Sequence, residues 1–143
     1  MTFDKDAKGA LEDICTVQGF IRSLQLVLRV VKDGLLHAGQ PCNSFSWMSS
    51  ATHARGEENM FMGRDGSEWI KICNVIAVRC AICLMVAFSR KVLFTVENPR
   101  QSVLPSFPYF RFLIDLAERL DKHALGYILP KYTSWWLVCN NTI

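Results

Sequence analysis

Apolar residues recur at helical spacing in three stretches of the chain. The first runs from Val17 to Lys32, the second from Glu68 to about Ser89, and the third from Tyr109 to Asp121. Ser67 precedes the second stretch as a helix-capping residue, and Gly34 follows the first as a C-terminal cap. We therefore predict three amphipathic or buried helices. The inward face of the first is expected to carry Phe20, Ile21, Leu24, Val27, Leu28 and Val31.

Short apolar runs between these helices predict strands. They cover Leu35–Ala38, Val92–Val96 and Thr133–Val138. The second run is nearly free of polar groups, which is typical of a central parallel strand buried on both faces. Helices and strands alternate along the chain, which implies a small parallel or mixed sheet. We predict an α/β fold in three layers, with a small, mostly parallel sheet flanked by helices.

The pattern divides the chain into a leader and one domain. Residues 1–16 are polar and weakly patterned, and we predict a frayed leader there. Residues 17–143 form a single α/β domain, large enough for a core of its own. Within it, residues 48–67 show no periodicity and predict a long loop. Loops of that length in compact domains are uncommon unless they are functional or disordered.

Composition narrows the cellular setting only a little. The net charge of +3 is compatible with a nucleic-acid partner without requiring one. The N-terminus lacks an apolar signal segment, which predicts an intracellular protein of the cytoplasm or nucleus with its six cysteines reduced. The longest apolar stretch, Val75–Phe88, has 14 residues and contains Arg79. It is shorter than a bilayer requires, so we predict a buried helix and no membrane span.

Histidines and paired cysteines are more simply explained by structure than by metal binding. Cys80 and Cys83 lie within an apolar helical run, without a second pair of ligands at a suitable spacing. We therefore expect small buried side chains there and no metal site. His37 is expected to be a core histidine satisfied by the backbone, and a structural role is likewise expected for His53 and His123 at exposed positions.

Candidate chemistry follows two of the predicted strands. Pro41 and Cys42 come just after the first strand, and Glu97 follows the second, 55 positions after Cys42. A cysteine and a carboxyl at the C-terminal ends of two buried parallel strands would point into one crevice, where open α/β sheets bind ligands. A thiolate could add to an electron-poor ring while the carboxyl donates to a ring nitrogen. For that role we expect Glu97 to be partly buried and protonated, and Asn98 to fix the loop backbone.

These residues stand in a recognisable order. The first motif is Pro41-Cys42-Asn43-Ser44-Phe45-Ser46 and the second is Glu97-Asn98-Pro99. A weaker third match surrounds Lys131 and Thr133. Together they resemble the cytosine-5 DNA methyltransferases, and the same order of motifs is similar to that of a set of uncharacterised algal proteins.

The resemblance implies a truncated Rossmann-like methyltransferase fold that holds a cytosine or similar base. Cys42 and Glu97 would be the catalytic residues. Substrate contacts would come from Pro41, Asn43, Ser44, Phe45, Asn98, Pro99, Lys131 and Thr133. If the protein is active, the cofactor would be S-adenosylmethionine, held in the family by a strand and a Gly-rich turn.

That Gly-rich turn is missing from this sequence, because the residues before Pro41 supply no equivalent. We therefore expect the base-binding and catalytic half of such a domain, inactive in methyl transfer by itself and with its cofactor unknown. Two alternatives remain open. One is a non-catalytic interaction module, and the other is one half of a split enzyme whose partner chain, or second copy, pairs with the sheet edge left by the missing strands.

Overall fold

The computed structural model describes residues 11–40, 43–99, 101–120, 125–126 and 134–139. These residues form helices and strands, which confirms the predicted α/β class, and one hydrophobic core is built from several of these elements. The helices are α1 (Val17–Arg29), α2 (Ser50–His53), α3 (Glu68–Ser89) and α4 (Pro108–Leu120). The strands are β1 (Leu35–Gly39), β2 (Leu93–Pro99), β3 (Leu125–Gly126) and β4 (Ser134–Cys139).

The strands form a mixed sheet in the order β1-β2-β4-β3. β1 and β2 are parallel neighbours, whereas β4 runs antiparallel to both β2 and β3. The prediction of a mostly parallel sheet is therefore wrong for the described strands. β3 and β4 are separated by residues 127–133, and so short a connection favours an antiparallel return over a crossover.

The helices of the described ranges cover one face of the sheet at β1 and β2 and leave the other face open. Leu36, Ala38, Phe94 and Val96 point into the core shared with the helices. On the opposite face Leu35 is 65% exposed, and the neighbouring side chains of that face remain open to solvent to varying degrees. The expectation of helices on both sides is therefore wrong at these two strands, which form a two-layer arrangement with α3.

Helix α3 is the central element of the core. It begins and ends where the sequence predicts, and the Ser67 hydroxyl accepts a hydrogen bond from the Ile70 backbone N–H at 3.5 Å. Nine of its residues are buried, including Cys80, Cys83 and Leu84. By length and composition it is the single helix of the described ranges that could span a membrane, and core helices of soluble proteins meet the same criterion.

Helix α1 differs from its prediction at both its end and its faces. It stops at Arg29, and Asp33 rather than Gly34 adopts the left-handed conformation, with a φ of 64°. Gly34 is required for space instead, since a Cβ there would lie 2.7 Å from the Val30 Cγ1 atom. Three residues predicted to point inward, Ile21, Leu28 and Val31, are at least half exposed, because the helix buries Ser23 and Val27 against α3.

The last part of the predicted leader is docked rather than frayed. Glu12 is buried, and its Oε1 lies 3.6 Å from the Nε of Arg22 on α1. Arg79 of α3 donates hydrogen bonds to the carbonyl oxygens of Ile14 and Thr16. Residues 11–16 therefore belong to the folded domain, while residues 1–10 lie outside the described ranges.

Candidate functional site

The described parts of the two sequence motifs meet at one end of the sheet. β1 and β2 are adjacent and parallel, and Gly39 is the register partner of Glu97. The chain segments that leave the two strands therefore start side by side, as the sequence predicts. β1 is an edge strand among the described strands, with alternate residues exposed, so the expectation that both strands are buried is wrong for it. Pro41 and Cys42 themselves lie outside the described residues.

Backbone contacts join the two segments into one unit. The Val103 N–H donates to the Phe45 carbonyl at 2.8 Å, and the Trp47 N–H donates to the Gln101 carbonyl at 3.2 Å. Between these bonds, Ser46 and Ser102 form an antiparallel bridge. The loop that begins at Cys42 is thus attached to the loop that follows Glu97, although the two are far apart in sequence.

Asn98 secures the second loop from within. It is 4% exposed, and its Nδ2 donates to the Ser102 hydroxyl at 2.7 Å. That hydroxyl also accepts the Leu104 backbone N–H at 3.1 Å. Asn98 thus reaches the loop backbone only through the Ser102 hydroxyl, and its expected role in fixing that backbone stays a prediction. Pro99 is the last residue of β2 and is half-buried.

Side chains of the first motif differ in their exposure to solvent. Asn43 is exposed, and its carbonyl accepts a hydrogen bond from the Ser49 hydroxyl. Ser44 and Phe45 are buried, and the Phe45 ring meets the edge of Phe107 at a centroid distance of 5.4 Å. The side chains of Ser44 and Phe45 therefore pack in the protein interior, on the inner side of the loop. Their assignment to substrate contact stays a prediction.

Arg55 is the residue of this region for which the sequence gives no signal. It is 8% exposed, yet it lies in the segment 48–67, which has no periodicity. Its guanidinium bonds to Ser44, Phe61 and Asn74, and its Cζ lies 3.9 Å from the centroid of the Phe45 ring. Desolvation lowers the pKa of Arg55 to about 10, so it stays protonated at neutral pH.

His53 supports the same loop from a second side. The Arg55 backbone N–H donates to its Nδ1 at 3.0 Å, so Nδ1 accepts and the proton resides on Nε2. Nε2 then donates to the Ser46 carbonyl at 2.9 Å. His53 is fully buried, so the expected exposed position is wrong, whereas the expected structural role is confirmed. Segment 48–67 is a long connection with short helical turns, anchored by Arg55 and His53.

Glu97 lies on the open face of the sheet. Its side chain is 49% exposed and its Oε2 lies 3.8 Å from the Nε2 of His37. The His37 Nδ1 is 2.8 Å from the Thr95 hydroxyl. Glu97 is thus about half exposed, because the described helices leave this face uncovered. The carboxyl is consequently accessible to a ligand and lies beside the His37 imidazole. His37 itself is exposed rather than in the core.

Unsatisfied polar atoms mark the same strand ends. The Oδ1 of Asn98 and both amide atoms of Gln40 are buried, and they make no hydrogen bond within the part of the chain that the structure describes. Buried polar groups are normally paired, so a polar ligand or water could complete them. Gln40 directly follows Gly39, and Asn98 directly follows Glu97, so both residues adjoin the paired strand ends.

The third motif falls at the start of β4. Lys131 and Thr133 lie outside the described residues. The strand that follows them begins with Ser134, whose register partner is Pro99, and Trp135 is opposite Asn98. The chain therefore enters β4 at the end of the sheet that carries the other two motifs, which is consistent with the predicted contribution of Lys131 and Thr133.

Cys80 and Cys83 are buried helix residues, as the sequence predicts. Burial raises the pKa of Cys80 to about 12, with a further contribution from Cys83, and burial also raises the pKa of Cys83. Both groups are therefore protonated thiols at neutral pH. Over the described ranges, no three or more His, Cys, Asp or Glu side chains are grouped as a metal site.

Comparison with known proteins yields no match: no protein-family model, curated protein or solved structure is significantly similar to this chain. The likeness to cytosine-5 DNA methyltransferases is carried by the three short motifs alone. The structure brings the described parts of those motifs to one end of the sheet.

Proposed function

We propose that this chain is the base-binding half of a domain resembling a cytosine-5 DNA methyltransferase, with a truncated Rossmann-like fold. A pyrimidine ring would sit at the carboxyl ends of β1 and β2, between the Cys42 loop and Glu97. The observation that carries the proposal is the parallel register that pairs Gly39 with Glu97. It brings a strand end three residues before Cys42 beside a solvent-accessible carboxyl, and the two following loops are hydrogen-bonded together.

The proposed reaction requires a thiolate that adds to the cytosine ring and an acid that protonates the same ring. The Cys42 sulfur forms a bond to C6 of cytosine, and the C5–C6 π electrons move to C5 while Glu97 donates a proton to N3. C5 then takes a proton from water. In the reverse direction C5 loses its original hydrogen to water, Glu97 recovers its proton, and the sulfur–carbon bond breaks. This cycle exchanges the C5 hydrogen and consumes nothing.

In a complete enzyme, S-adenosylmethionine would be the methyl donor. The described residues do not fit a site for it, because α1 and the turn at Asp33–Gly34 precede β1 in place of a strand with a Gly-rich turn. No step is therefore assigned to a cofactor in this chain. The site is open to solvent, so it suits a base that lies in single-stranded DNA or is flipped out of a duplex.

Hydrogen exchange at C5 tests the proposal without any cofactor. We expect the purified chain to release tritium to water from single-stranded DNA that contains [5-³H]cytosine. Cys42→Ser should abolish the release, and Glu97→Gln should lower its rate by about 10²-fold, the lower end for loss of an acid–base group. Cys15→Ser and Glu57→Gln are matched controls that should retain it. Absence of release, or release that persists in Cys42→Ser, would contradict the proposal.

A second candidate function, one half of a two-chain assembly, is favoured by the edge of the sheet. β1 is the terminal strand of the described sheet, and it contains neither proline nor lysine, two of the devices that protect edge strands. Nearby apolar side chains are exposed, with Leu35 at 65% and Val31 at 72%. Such an edge could pair with a strand of another chain or of a second copy.

Sedimentation velocity measures self-association of the chain. Protein concentrations of about 1–100 μM would detect dissociation constants in the micromolar range or weaker. We expect the native chain to associate and Leu35→Lys to shift it to monomer, because a lysine at an edge strand opposes pairing. Phe112→Lys, at a 57% exposed position of α4, is the matched control and should leave association unchanged. A monomer throughout would exclude a second copy as the partner in this range.

A further inference from the structure

An apolar stripe on α1 is left open by the other described elements. The helix buries Gly19, Ser23 and Val27, and the stripe follows a different face. Its members recur at intervals of three and four residues, so they lie in one row along the helix. All are at least half exposed apart from the half-buried Leu24, and they are Val17, Ile21, Leu24, Leu28 and, just beyond the helix, Val31. Contiguous apolar surface of this kind marks a contact with another molecule or with a membrane.

Basic side chains gather at the C-terminal end of this stripe. Arg29 is the last residue of α1, and Lys32 follows it in the turn to β1. That turn is bonded to the turn between α3 and β2, because the Asp33 N–H donates to the Lys91 carbonyl at 3.0 Å. The second turn also carries Arg90. The joined turns and the end of α1 therefore hold four exposed basic residues and one carboxyl, that of Asp33.

The positive charge of this region is not neutralised by ion pairs. Among the described residues, no carboxylate lies within ion-pair distance of the four basic groups. α1 itself contains no acidic residue, and its other arginine, Arg22, is near Glu12. We define the α1 surface as the apolar stripe together with Arg29, Lys32, Arg90 and Lys91. It combines exposed aliphatic side chains with a net positive charge.

We propose that the α1 surface binds an anionic phospholipid bilayer. Aliphatic side chains of such a surface enter the boundary between headgroups and acyl chains, while lysine and arginine contact the headgroups. Each basic residue close to an anionic leaflet strengthens binding on the order of five-fold. α1 has 13 residues, a length of about 20 Å, and it would lie in the plane of the membrane. The charge of the α1 surface complements that of the lipid.

Two other partners suit the α1 surface less well. Single-stranded nucleic acid is held by stacking on aromatic rings. The exposed apolar side chains here are aliphatic, and the ring of Phe20 lies 5.0 Å from the Arg79 guanidinium. A second copy would offer another stripe on a helix of 13 residues, whereas coiled coils need about three to four heptads. It would also bring no carboxylate of α1 to Arg29.

A second exposed apolar surface provides a contrast. Tyr109 and Phe112 of α4 line a cavity that opens between α3 and α4. Beside them, the Nε of Arg111 lies 3.0 Å from the Asp115 carboxylate, so this arginine is neutralised within its own helix. That surface is apolar without uncompensated charge, and we expect no attraction to anionic lipid there.

The α1 surface and the candidate site lie at opposite ends of β1. The strand begins at Leu35, directly after the basic turn, and the candidate site adjoins Gly39. Four steps along a strand cover about 13 Å. Membrane binding therefore leaves the candidate site accessible, and the inference does not rest on the proposed function.

Flotation of the full chain with lipid vesicles tests the inference. We expect binding to vesicles of equal parts phosphatidylcholine and phosphatidylserine, weakened by added salt, and little binding to phosphatidylcholine alone. Leu28→Gln and Val31→Gln remove aliphatic contact without changing the charge, and each should weaken binding about three- to ten-fold. Arg29→Gln and Lys32→Gln should each weaken it about five-fold.

Matched variants on other surfaces should retain native binding. Phe112→Gln removes an apolar side chain with an exposure of 57%, close to that of Leu28. Lys71→Gln removes an exposed cation from the first turn of α3, about 27 Å along that helix from its end at Ser89. All six substituted side chains are at least half exposed or lie on the surface, so circular dichroism should report the native fold in each variant.

Several outcomes would overturn the inference. They are the absence of vesicle binding, equal binding to both kinds of vesicle, and binding that Leu28→Gln and Val31→Gln leave unchanged. Two further measurements identify the rival partners when vesicles do not bind. Binding of oligothymidylate that is lost in Arg29→Gln would assign the surface to nucleic acid. A native dimer that Leu28→Gln converts to monomer in sedimentation velocity would assign it to a second copy.

Discussion

Phe107→Ala is expected to lower the free energy of unfolding by about 3–5 kcal/mol, the usual range for removing a buried aromatic ring. Phe107 is 0% exposed and packs against Phe45 at an interplanar angle of 78°. Its backbone also links two elements, because it caps the turn Leu104–Ser106 and its carbonyl accepts from the Arg111 N–H in α4. The cavity left by the ring would lie directly beneath the first motif.

Urea unfolding followed by circular dichroism measures this loss. Phe112→Ala is the matched control, because Phe112 lies in the same helix and is 57% exposed, so its removal should cost less than about 1 kcal/mol. Similar losses in the two variants would contradict the described burial of Phe107. A change in the urea dependence without a change in midpoint would indicate altered compactness of the unfolded chain instead.

Raising the pH above about 9 is expected to destabilise the protein through Cys80. Its pKa is raised from 9.0 to about 12 by burial, so the folded state retains a proton that the unfolded chain releases. The stabilisation is complete below pH 9 and is lost as the pH rises through about 12. The free energy of unfolding therefore falls progressively as the pH rises across that window.

The alkaline loss can be separated from other titrations with Cys80→Ala. This variant should lose a small amount of stability at pH 8, where a buried thiol is replaced by a smaller group. Between pH 9.5 and 10.5, about the middle of the titration window, its stability should fall less steeply than that of the native chain by up to about 1.4 kcal/mol per unit. Equal slopes in urea unfolding would show that Cys80 is less buried than described.

The secondary structure could be predicted wherever the chain repeats a period. The bounds of α3 agree because Ser67 caps an uninterrupted apolar run. β2 was recognisable from its β-branched and aromatic residues, although it extends through Pro99. The exposed side of α1 could not be predicted, because Ile21 and Leu28 are as apolar as the residues that face the core. The spacing of apolar residues identifies a helix, but it does not show how many of the helix faces pack against other elements.

The sequence predicts which strand ends form the candidate site, but it does not predict which side chains around them are exposed or buried. Two strand ends carrying Cys42 and Glu97 imply neighbouring parallel strands, and β1 and β2 are such neighbours. The exposure of Glu97 depends on which sheet face the helices cover, and strand sequences alone do not specify that. Arg55 and His53 occupy an aperiodic segment, so their burial follows only from long-range contacts with Ser44 and Ser46.

The pairing of β1 with β2 has a consequence for the time at which the site forms. Register partners such as His37 and Thr95 are 58 residues apart, so β1 leaves the ribosome well before its neighbour exists. At about 5–20 residues per second, the nascent Cys42 segment waits roughly 3–12 s for β2. The site is therefore assembled only after β2 has been made, and during that interval the cysteine loop and the edge of β1 are available to chaperones or to another nascent chain.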